Sequence, residues 1–76
     1  MNSTSSFMLI QPYTKGELAQ LYSPNAKYES AIRMFNRYVN RCIGLKDELT
    51  RLGYRPNDRR FTRSQVATIF RYLGEP

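Results

Sequence analysis

The sequence predicts a mainly α-helical protein with four short helices around one core. Two capping boxes, Thr14-Lys15-Gly16-Glu17 and Thr62-Arg63-Ser64-Gln65, mark helix starts because each pairs a Thr hydroxyl with an acid or amide three residues later. Apolar side chains recur at helical spacing after both starts and in two segments between them. A chain of 76 residues buries roughly 60% of its surface on folding, which suffices for a single core.

The chain divides into a short tail and one domain. Residues 1–6 (MNSTSS) are small and polar, which predicts a disordered N-terminal tail. Residues 7–76 are predicted to form a single small helical domain. Its first segment, Phe7 to Ile10, is apolar and ends at Gln11-Pro12, so either a short strand or an extended segment packed on the core is expected.

The first helix is predicted to begin after Thr14 and to end before Pro24. Tyr13 and Leu18 flank the capping box as a hydrophobic staple. The residues before a proline resist the α conformation, so Ser23-Pro24 ends the helix. Its buried face is predicted to carry Leu18, Leu21 and Tyr22.

A longer second helix is predicted from Lys27 or Tyr28 to Arg41 or Cys42. Cys42 lies on its apolar side, which predicts a small, buried hydrophobic residue. The inner face follows helical spacing through Ala31, Ile32, Phe35, Val39 and Cys42.

Two further helices complete the prediction. A third helix over Leu45 to Leu52 is predicted to bury Leu45, Leu49 and Leu52, with Gly53 as a left-handed cap and Tyr54 folding back. Residues 54–60 form a basic loop. The last helix begins after Thr62 and ends at Gly74; its inward residues are predicted to be Val66, Ile69, Phe70 and Leu73. Its start, FTRSQVATIF, matches YTKGELAQLY class for class over ten positions.

Positive charge is concentrated in the second half of the chain. The net charge is +6, and residues 31–76 carry all of it, since the bases and acids of residues 1–30 cancel. A basic region of this kind favours an anionic partner, most often nucleic acid. The alternative is that the charge only keeps a small protein soluble.

The outer arc of the second helix predicts a nucleic-acid contact. Arg and Asn make bidentate contacts to guanine and adenine edges, and Arg also binds phosphate. Arg37 has Arg33 and Arg41 as its neighbours four residues away, which is slightly unfavourable for an isolated helix. The alternative is a solvated stripe whose acids come from elsewhere in the fold. The predicted site residues on this arc are Arg33, Asn36, Arg37, Asn40 and Arg41.

A second basic cluster lies in and after the loop. It comprises Arg55, Arg59, Arg60 and Arg63, diluted only by Asp58. An Arg-rich loop tip is a common contact to phosphate or the minor groove. An ordinary polar loop is the alternative interpretation.

The composition argues against catalysis and against membrane insertion. The chain has no His and one Cys, so it offers no Ser-His or Cys-His pair, no His-based metal site and no internal disulfide. We expect no enzyme activity, cofactor or bound metal. The longest apolar run has four residues and the N-terminus has no basic segment, so neither a membrane span nor a signal peptide is expected. A lone Cys without an export signal predicts a cytoplasmic protein.

Two family resemblances add to these observations. The segments YTKGELAQLYSPNA, ESAIRMFNRYVNR, LGYRP and RFTRSQVATIFRYLGEP resemble a family of short Bacteroidetes proteins, domain-of-unknown-function family 4248. That resemblance implies no particular activity. More weakly, YTKGELAQLY, residues 29–38 and LGYRPNDRRFT are similar to the winged helix-turn-helix headpiece of MerR-type regulators. This second resemblance implies a helix-turn-helix-like domain with a short basic wing, in which residues 29–38 stand where the recognition helix lies.

Two functions therefore remain open. In the first, the protein is a small regulatory or accessory factor that binds duplex DNA, with the Arg and Asn face of the second helix in a groove and the loop arginines on phosphate. In the second, it is a protein-interaction module or a self-associating adaptor, and a homodimer is one form of it. There the Arg stripe meets an acidic protein partner, while Tyr28, Tyr38 and residues 7–10 supply apolar contacts.

Overall fold

The computed structural model describes residues 9–76. In chain order the elements are β1 (Tyr13–Thr14), α1 (Lys15–Tyr22), α2 (Tyr28–Arg41), α3 (Ile43–Arg51), β2 (Arg60–Phe61) and α4 (Arg63–Leu73). The predicted mainly helical fold with four helices is confirmed. The sequence did not predict the two short strands, which lie at the starts of α1 and α4. The predicted tail, residues 1–6, lies outside the described residues.

Both predicted capping boxes form. The hydroxyl oxygen of Thr14 accepts from the Glu17 amide at 3.0 Å, and a Glu17 carboxylate oxygen accepts from the Thr14 amide at 2.9 Å. At α4 the Thr62 hydroxyl accepts from the Gln65 amide at 3.3 Å, and the Gln65 side-chain oxygen accepts from the Thr62 amide at 2.9 Å. The two helices therefore begin where their sequences require.

The two helix starts pair with each other. β1 and β2 form an antiparallel ladder in which Tyr13 lies opposite Phe61 and Thr14 opposite Arg60. The Lys15 amide extends the pairing by donating to the Arg59 carbonyl at 2.7 Å. This ladder joins the beginning of the domain to its last helix.

Phe61 of β2 connects the ladder to the core, because its side chain is buried. Its ring centroid lies 5.7 Å from that of Phe35 in an edge-on contact and 4.9 Å from that of Tyr54 in a stacked contact. Such aromatic pairs add to the free energy gained by burying the rings. The core consists of Leu18, Ala19, Ala31, Phe35, Val39, Leu45, Leu49, Phe61, Val66, Ile69 and Phe70.

α2 packs against α1, and residues 23–27 connect the two helices. Two packed helices joined by a short connection are compatible with a helix-turn-helix-like arrangement. Ala31, Phe35 and Val39 are buried as predicted, whereas Cys42 is half-buried. The prediction that Cys42 is buried is confirmed only in part: Cys42 lies at the junction of α2 and α3 and packs against the core while keeping part of its surface exposed.

α3 differs from its prediction at both ends. It begins at Ile43, two residues before the predicted start, and Cys42 alone separates it from α2. Leu52 is exposed and not buried as predicted, since it follows the last helical residue. The predicted cap at Gly53 is confirmed by a positive φ of 90°. Its amide donates to the Thr50 carbonyl and the Tyr54 amide to the Leu49 carbonyl, the hydrogen bonds of a Schellman motif.

The segment before β1 does not follow its prediction. Leu9 and Ile10 form no strand and both are exposed. The expectation that the 7–10 segment packs on the core is therefore wrong for these two residues. Phe7 and Met8 lie outside the described residues.

The ends of α1 and α4 are tied by Tyr22. Its hydroxyl donates to the carbonyl of Gly74, the residue that caps α4. Burial raises the pKa of the Tyr22 hydroxyl, and the nearby Glu75 carboxylate raises it further because a second negative charge is unfavourable there. The neutral, donating form of Tyr22 is therefore the form that the fold stabilises.

Removing either capping hydroxyl will destabilise the domain. We expect Thr14→Ala and Thr62→Ala each to lower the free energy of unfolding by about 1 kcal/mol, since each leaves a helix-terminal amide without its acceptor. Thermal or urea unfolding measures the loss. Thr50→Ala is the matched control, because Thr50 is exposed inside α3 and its hydroxyl donates only to a carbonyl of the same helix, that of Lys46. If Thr14→Ala and Thr62→Ala lose no more stability than the control Thr50→Ala, the two capping hydrogen bonds do not stabilise the domain.

The Tyr22 hydroxyl will make stability depend on alkaline pH. The folded protein holds this proton more tightly than the unfolded chain, whose tyrosines titrate near pH 10.0. The stabilisation is thus complete below about pH 10 and is lost as the pH rises above it. Unfolding between pH 8 and pH 12 should show a steeper decline for the wild type than for Tyr22→Phe, which has no hydroxyl to titrate. Parallel curves would show that Tyr22 titrates alike in both states.

Candidate nucleic-acid interface

The outer face of α2 presents the predicted Arg and Asn side chains to solvent. Arg33, Asn36, Arg37, Asn40 and Arg41 are all exposed, while Ala31, Phe35 and Val39 hold the opposite face in the core. These five exposed residues are called the α2 face below. Its exposure follows from amphipathic spacing, since apolar residues recur every three to four positions along the helix.

The arginines of the α2 face have no carboxylate partner among the described residues. Within residues 9–76 the ion pair that forms is Arg71 with Glu48, which joins α4 to α3. Glu29 stands one turn before Arg33 but does not pair with it; the Arg33 guanidinium donates to the Ser30 hydroxyl at 3.4 Å. The positive charge of this face is therefore available to an external anion.

A cleft between α2 and α3 borders the α2 face. Asn36 and Asn40 form one wall, and Lys46 and Thr50 of α3 form the other. The cleft has a volume of about 210 Å³, and the remaining lining residues are Lys15, Val39, Leu49, Tyr54 and Pro56. No carboxylate side chain lines it; the polar side chains that do are two amides, two hydroxyls and two ammonium groups.

Lys15 fixes one end of this cleft. Its ammonium group donates to the Pro56 carbonyl at 3.1 Å and lies 5.2 Å from the centroid of the Tyr54 ring. A hydrogen bond and a cation–π contact together hold the loop of residues 54–59 against the start of α1. The loop therefore stands beside α2 at a fixed position.

Sequence reasoning missed Lys15 and Lys46. Lys15 belongs to residues 1–30, whose charges cancel, and Lys46 lies on a helix of mixed charge next to Asp47. The i,i+4 spacing of Lys46 and Thr50 predicts a shared side of α3. Nothing in that spacing says that this side faces Asn36 and Asn40, because that depends on the packing of α3 against α2.

The loop arginines are divided between two sides of the domain. Arg59 lies with Lys15, Tyr28 and Ile32 in a groove between the loop and α2. Arg60 lies on the other side, in a groove with Glu17 and Pro24. Successive side chains of extended backbone point in opposite directions, so the ladder at residue 60 separates these two arginines. The structure therefore places Arg59, but not Arg60, in a groove that α2 borders through Tyr28 and Ile32.

Arg55 and Arg63 are exposed outside these grooves. The Arg55 amide donates to the Asp58 carboxylate at 3.0 Å, and the Asp58 amide donates to the Arg55 carbonyl at 2.9 Å. These bonds close a turn of residues 55–58 within the predicted basic loop. Arg63 is the first residue of α4.

The described residues show no arrangement for a metal and no membrane-spanning helix. No three Cys, Asp or Glu side chains of residues 9–76 come together as a set that could hold a metal ion. None of the helices in that range is both long and apolar enough to cross a bilayer.

These features define a small basic helical domain with an exposed, cationic helix face. The chain belongs to the family described as a domain of unknown function (DUF4248), which it matches over residues 9–76. This confirms the family resemblance carried by its motifs, whereas the weaker one to MerR-type headpieces stays a prediction. Neither a curated protein nor a solved structure matches the chain.

The two adjacent loop arginines provide a test of the site's position. We expect Arg59→Gln to weaken binding to duplex DNA and to reduce the log–log salt slope of the affinity by about 1, the contribution of one phosphate contact. Arg60→Gln removes the same charge on the other side and should change the slope little. Salt-titrated fluorescence anisotropy measures both. A larger effect of Arg60→Gln would move the interface to the side of Glu17.

Proposed function

We propose that the protein is a DNA-binding protein, without catalytic activity, that contacts duplex DNA with its α2 face. One observation carries this proposal: the α2 face is exposed, free of carboxylate partners among the described residues, and adjoins a cleft that adds Lys15 and Lys46. DNA presents phosphate anions at regular spacing, and a cationic surface of this kind can bind several of them.

The dimensions of α2 suit the major groove. The helix has 14 residues, hence a length of about 21 Å, and an α-helix with its side chains is about 10–12 Å wide. The major groove is about 12 Å wide and admits one helix. The helix face that leads into the groove therefore decides which side chains reach base edges.

The α2 face divides into two rows with different tasks. Arg33, Arg37 and Arg41 repeat every four residues and form one row; Asn36 and Asn40 form the neighbouring row beside the cleft. In the proposed complex Arg37 and Asn36, at the middle of the helix, contact base edges. The outer arginines, with Lys46 and Arg59 on the flanking elements, contact phosphates and set the orientation.

The proposed role on DNA is regulatory or accessory, and the proposed location is the cytoplasm, as the lone Cys predicts. Its contacts come from one helix and its two flanks, so binding has a large electrostatic component and a modest amount of base readout. Affinity will therefore fall steeply as the salt concentration rises.

A protein-interaction module is the second candidate function. Tyr28 supports it, because this aromatic side chain is 56% exposed beside Ile32 and close to the arginine row. An acidic protein could place carboxylates on Arg33 and Arg37 and an apolar side chain against Tyr28. In that case DNA binding would be weak and every exposed Arg would contribute equally.

The DNA proposal predicts unequal effects from two similar arginines. We expect Arg37→Ala to weaken duplex binding by at least tenfold at moderate salt, because Arg37 lies at the centre of the α2 face. Arg51→Ala should have a small effect. Arg51 stands three residues after Glu48, so it shares the side of α3 that faces α4.

Arg51 is a better control than Arg71, since Arg71 forms the ion pair with Glu48 and its removal also changes the α3–α4 contact. Both variants lose one exposed Arg and should keep the wild-type melting temperature. Equal loss of affinity for Arg37→Ala and Arg51→Ala would reject groove binding. Absence of salt-dependent DNA binding by the wild type would reject the DNA proposal as a whole.

A further inference from the structure

The cleft between α2 and α3, called the α2–α3 cleft below, has the form of a small-molecule site. Its floor is apolar, because Val39 and Leu49 line it and both are buried. Its walls are polar and exposed, with Asn36 and Asn40 on α2 and Lys46 on α3. A concave site with an apolar floor and a few polar groups around it is typical of small-ligand binding.

Several polar groups of the α2–α3 cleft have no internal partner. The side-chain amides of Asn36 and Asn40 form no hydrogen bond within residues 9–76, and the Lys46 ammonium group forms neither a hydrogen bond nor an ion pair there. The Lys15 ammonium group, in contrast, is held by a carbonyl and an aromatic ring of the loop. One ammonium group and two amides are therefore free to bind a ligand.

The charge of the α2–α3 cleft favours an anion. All six acids of the chain lie outside its lining. Asp47 follows Lys46 on α3, but successive residues of a helix point about 100° apart. Glu48 pairs with an arginine of α4, and the Asp58 carboxylate lies in the neighbouring groove, where it accepts from the Arg55 amide. No carboxylate of the protein therefore occupies the place of a bound anion.

The volume of the cleft, about 210 Å³, limits the size of the ligand. A closed apolar cavity of about 150 Å³ holds benzene. The α2–α3 cleft thus has room for one apolar body of that size and one charged group. The DNA backbone does not suit this space, because it offers no free apolar group to place on Val39 and Leu49.

We propose that the α2–α3 cleft binds a small carboxylic acid in its ionised form, with an apolar body about the size of a benzene ring. The carboxylate accepts hydrogen bonds from Lys46 and from the neighbouring amides of α2, while the apolar body lies on Val39 and Leu49. A monoanion matches the one ammonium group that has no partner within the described residues.

The bound carboxylate also regulates DNA binding. In the complex proposed above, Lys46 contacts a phosphate of the duplex. One ammonium group does not neutralise a carboxylate and a phosphate at the same time, so the acid competes with DNA for Lys46. This consequence, unlike ligand binding itself, rests on the proposed function.

NMR titration of the isotope-labelled full chain with sodium benzoate, without DNA, tests the site. Benzoate should cause saturable shifts of the Asn36 and Asn40 side-chain amide signals, with a dissociation constant on the order of millimolar. Benzyl alcohol, which has the same ring but no charge, should bind roughly tenfold more weakly. No saturable shift of these signals, or equal affinity for the two compounds, overturns the inference.

A pair of α3 variants tests the assigned residue. Lys46→Gln should raise the dissociation constant of benzoate roughly tenfold, because it removes the charged donor. Arg51→Gln is the matched control, since it removes the same charge from an exposed position of α3 outside the cleft. Equal losses for the two variants overturn the assignment. Both side chains are exposed, so circular dichroism should show wild-type helicity for both variants.

Fluorescence anisotropy with duplex DNA tests the regulation separately. Saturating benzoate should weaken duplex binding by the wild type severalfold relative to sodium chloride of the same ionic strength. It should have no such effect on Lys46→Gln, which lacks the shared ammonium group. An unchanged wild-type affinity overturns the competition. A wild type that binds benzoate but not DNA overturns the proposed function and leaves the ligand site supported.

Discussion

The antiparallel pairing of β1 with β2 is the contact on which the arrangement of this domain depends. Two residues on each strand suffice because each strand runs directly into a capped helix, so the ladder fixes where α1 and α4 begin. Phe61, between the rings of Phe35 and Tyr54, adds the apolar contact that an isolated two-residue ladder lacks. A few hydrogen bonds thereby position α1 and α4, and the contact of Phe61 with Phe35 adds α2.

The same pairing shapes the candidate DNA interface. It brings the loop that precedes β2 beside α1, where Lys15 holds it through Pro56 and Tyr54. The cleft next to the α2 face exists because this loop, α2 and α3 meet around Val39 and Leu49. The ladder also imposes alternation on the chain that enters it, which places the two adjacent arginines on different sides. Arg59 and Arg60, which are adjacent in the sequence, are thus separated in the structure.

The differences between expectation and structure have identifiable physical causes. Leu52 has the spacing of a buried residue, but the helix ends one residue before it, and helical spacing has no meaning beyond a helix end. Cys42 is half-buried because α3 starts immediately after it. The α2 face was predictable since it depends on the periodicity of a single helix. Lys15 and Lys46 were not, because their place beside that face depends on contacts between elements distant in the sequence.

The sequence by itself determined the helices, their caps and the solvent-facing side of α2. Each of these depends on residues within about four positions of one another, as in the box from Thr14 to Glu17 and the turn at Gly53. Only the tertiary structure decided which helix faces meet, that β1 pairs with β2, and that Tyr22, Tyr38 and Leu73 meet in a cleft built from α1, α2 and α4. The physical reason is that helix caps and helical periodicity depend on residues close together in the sequence. Which surfaces of two elements come into contact depends instead on how all the elements pack into one core.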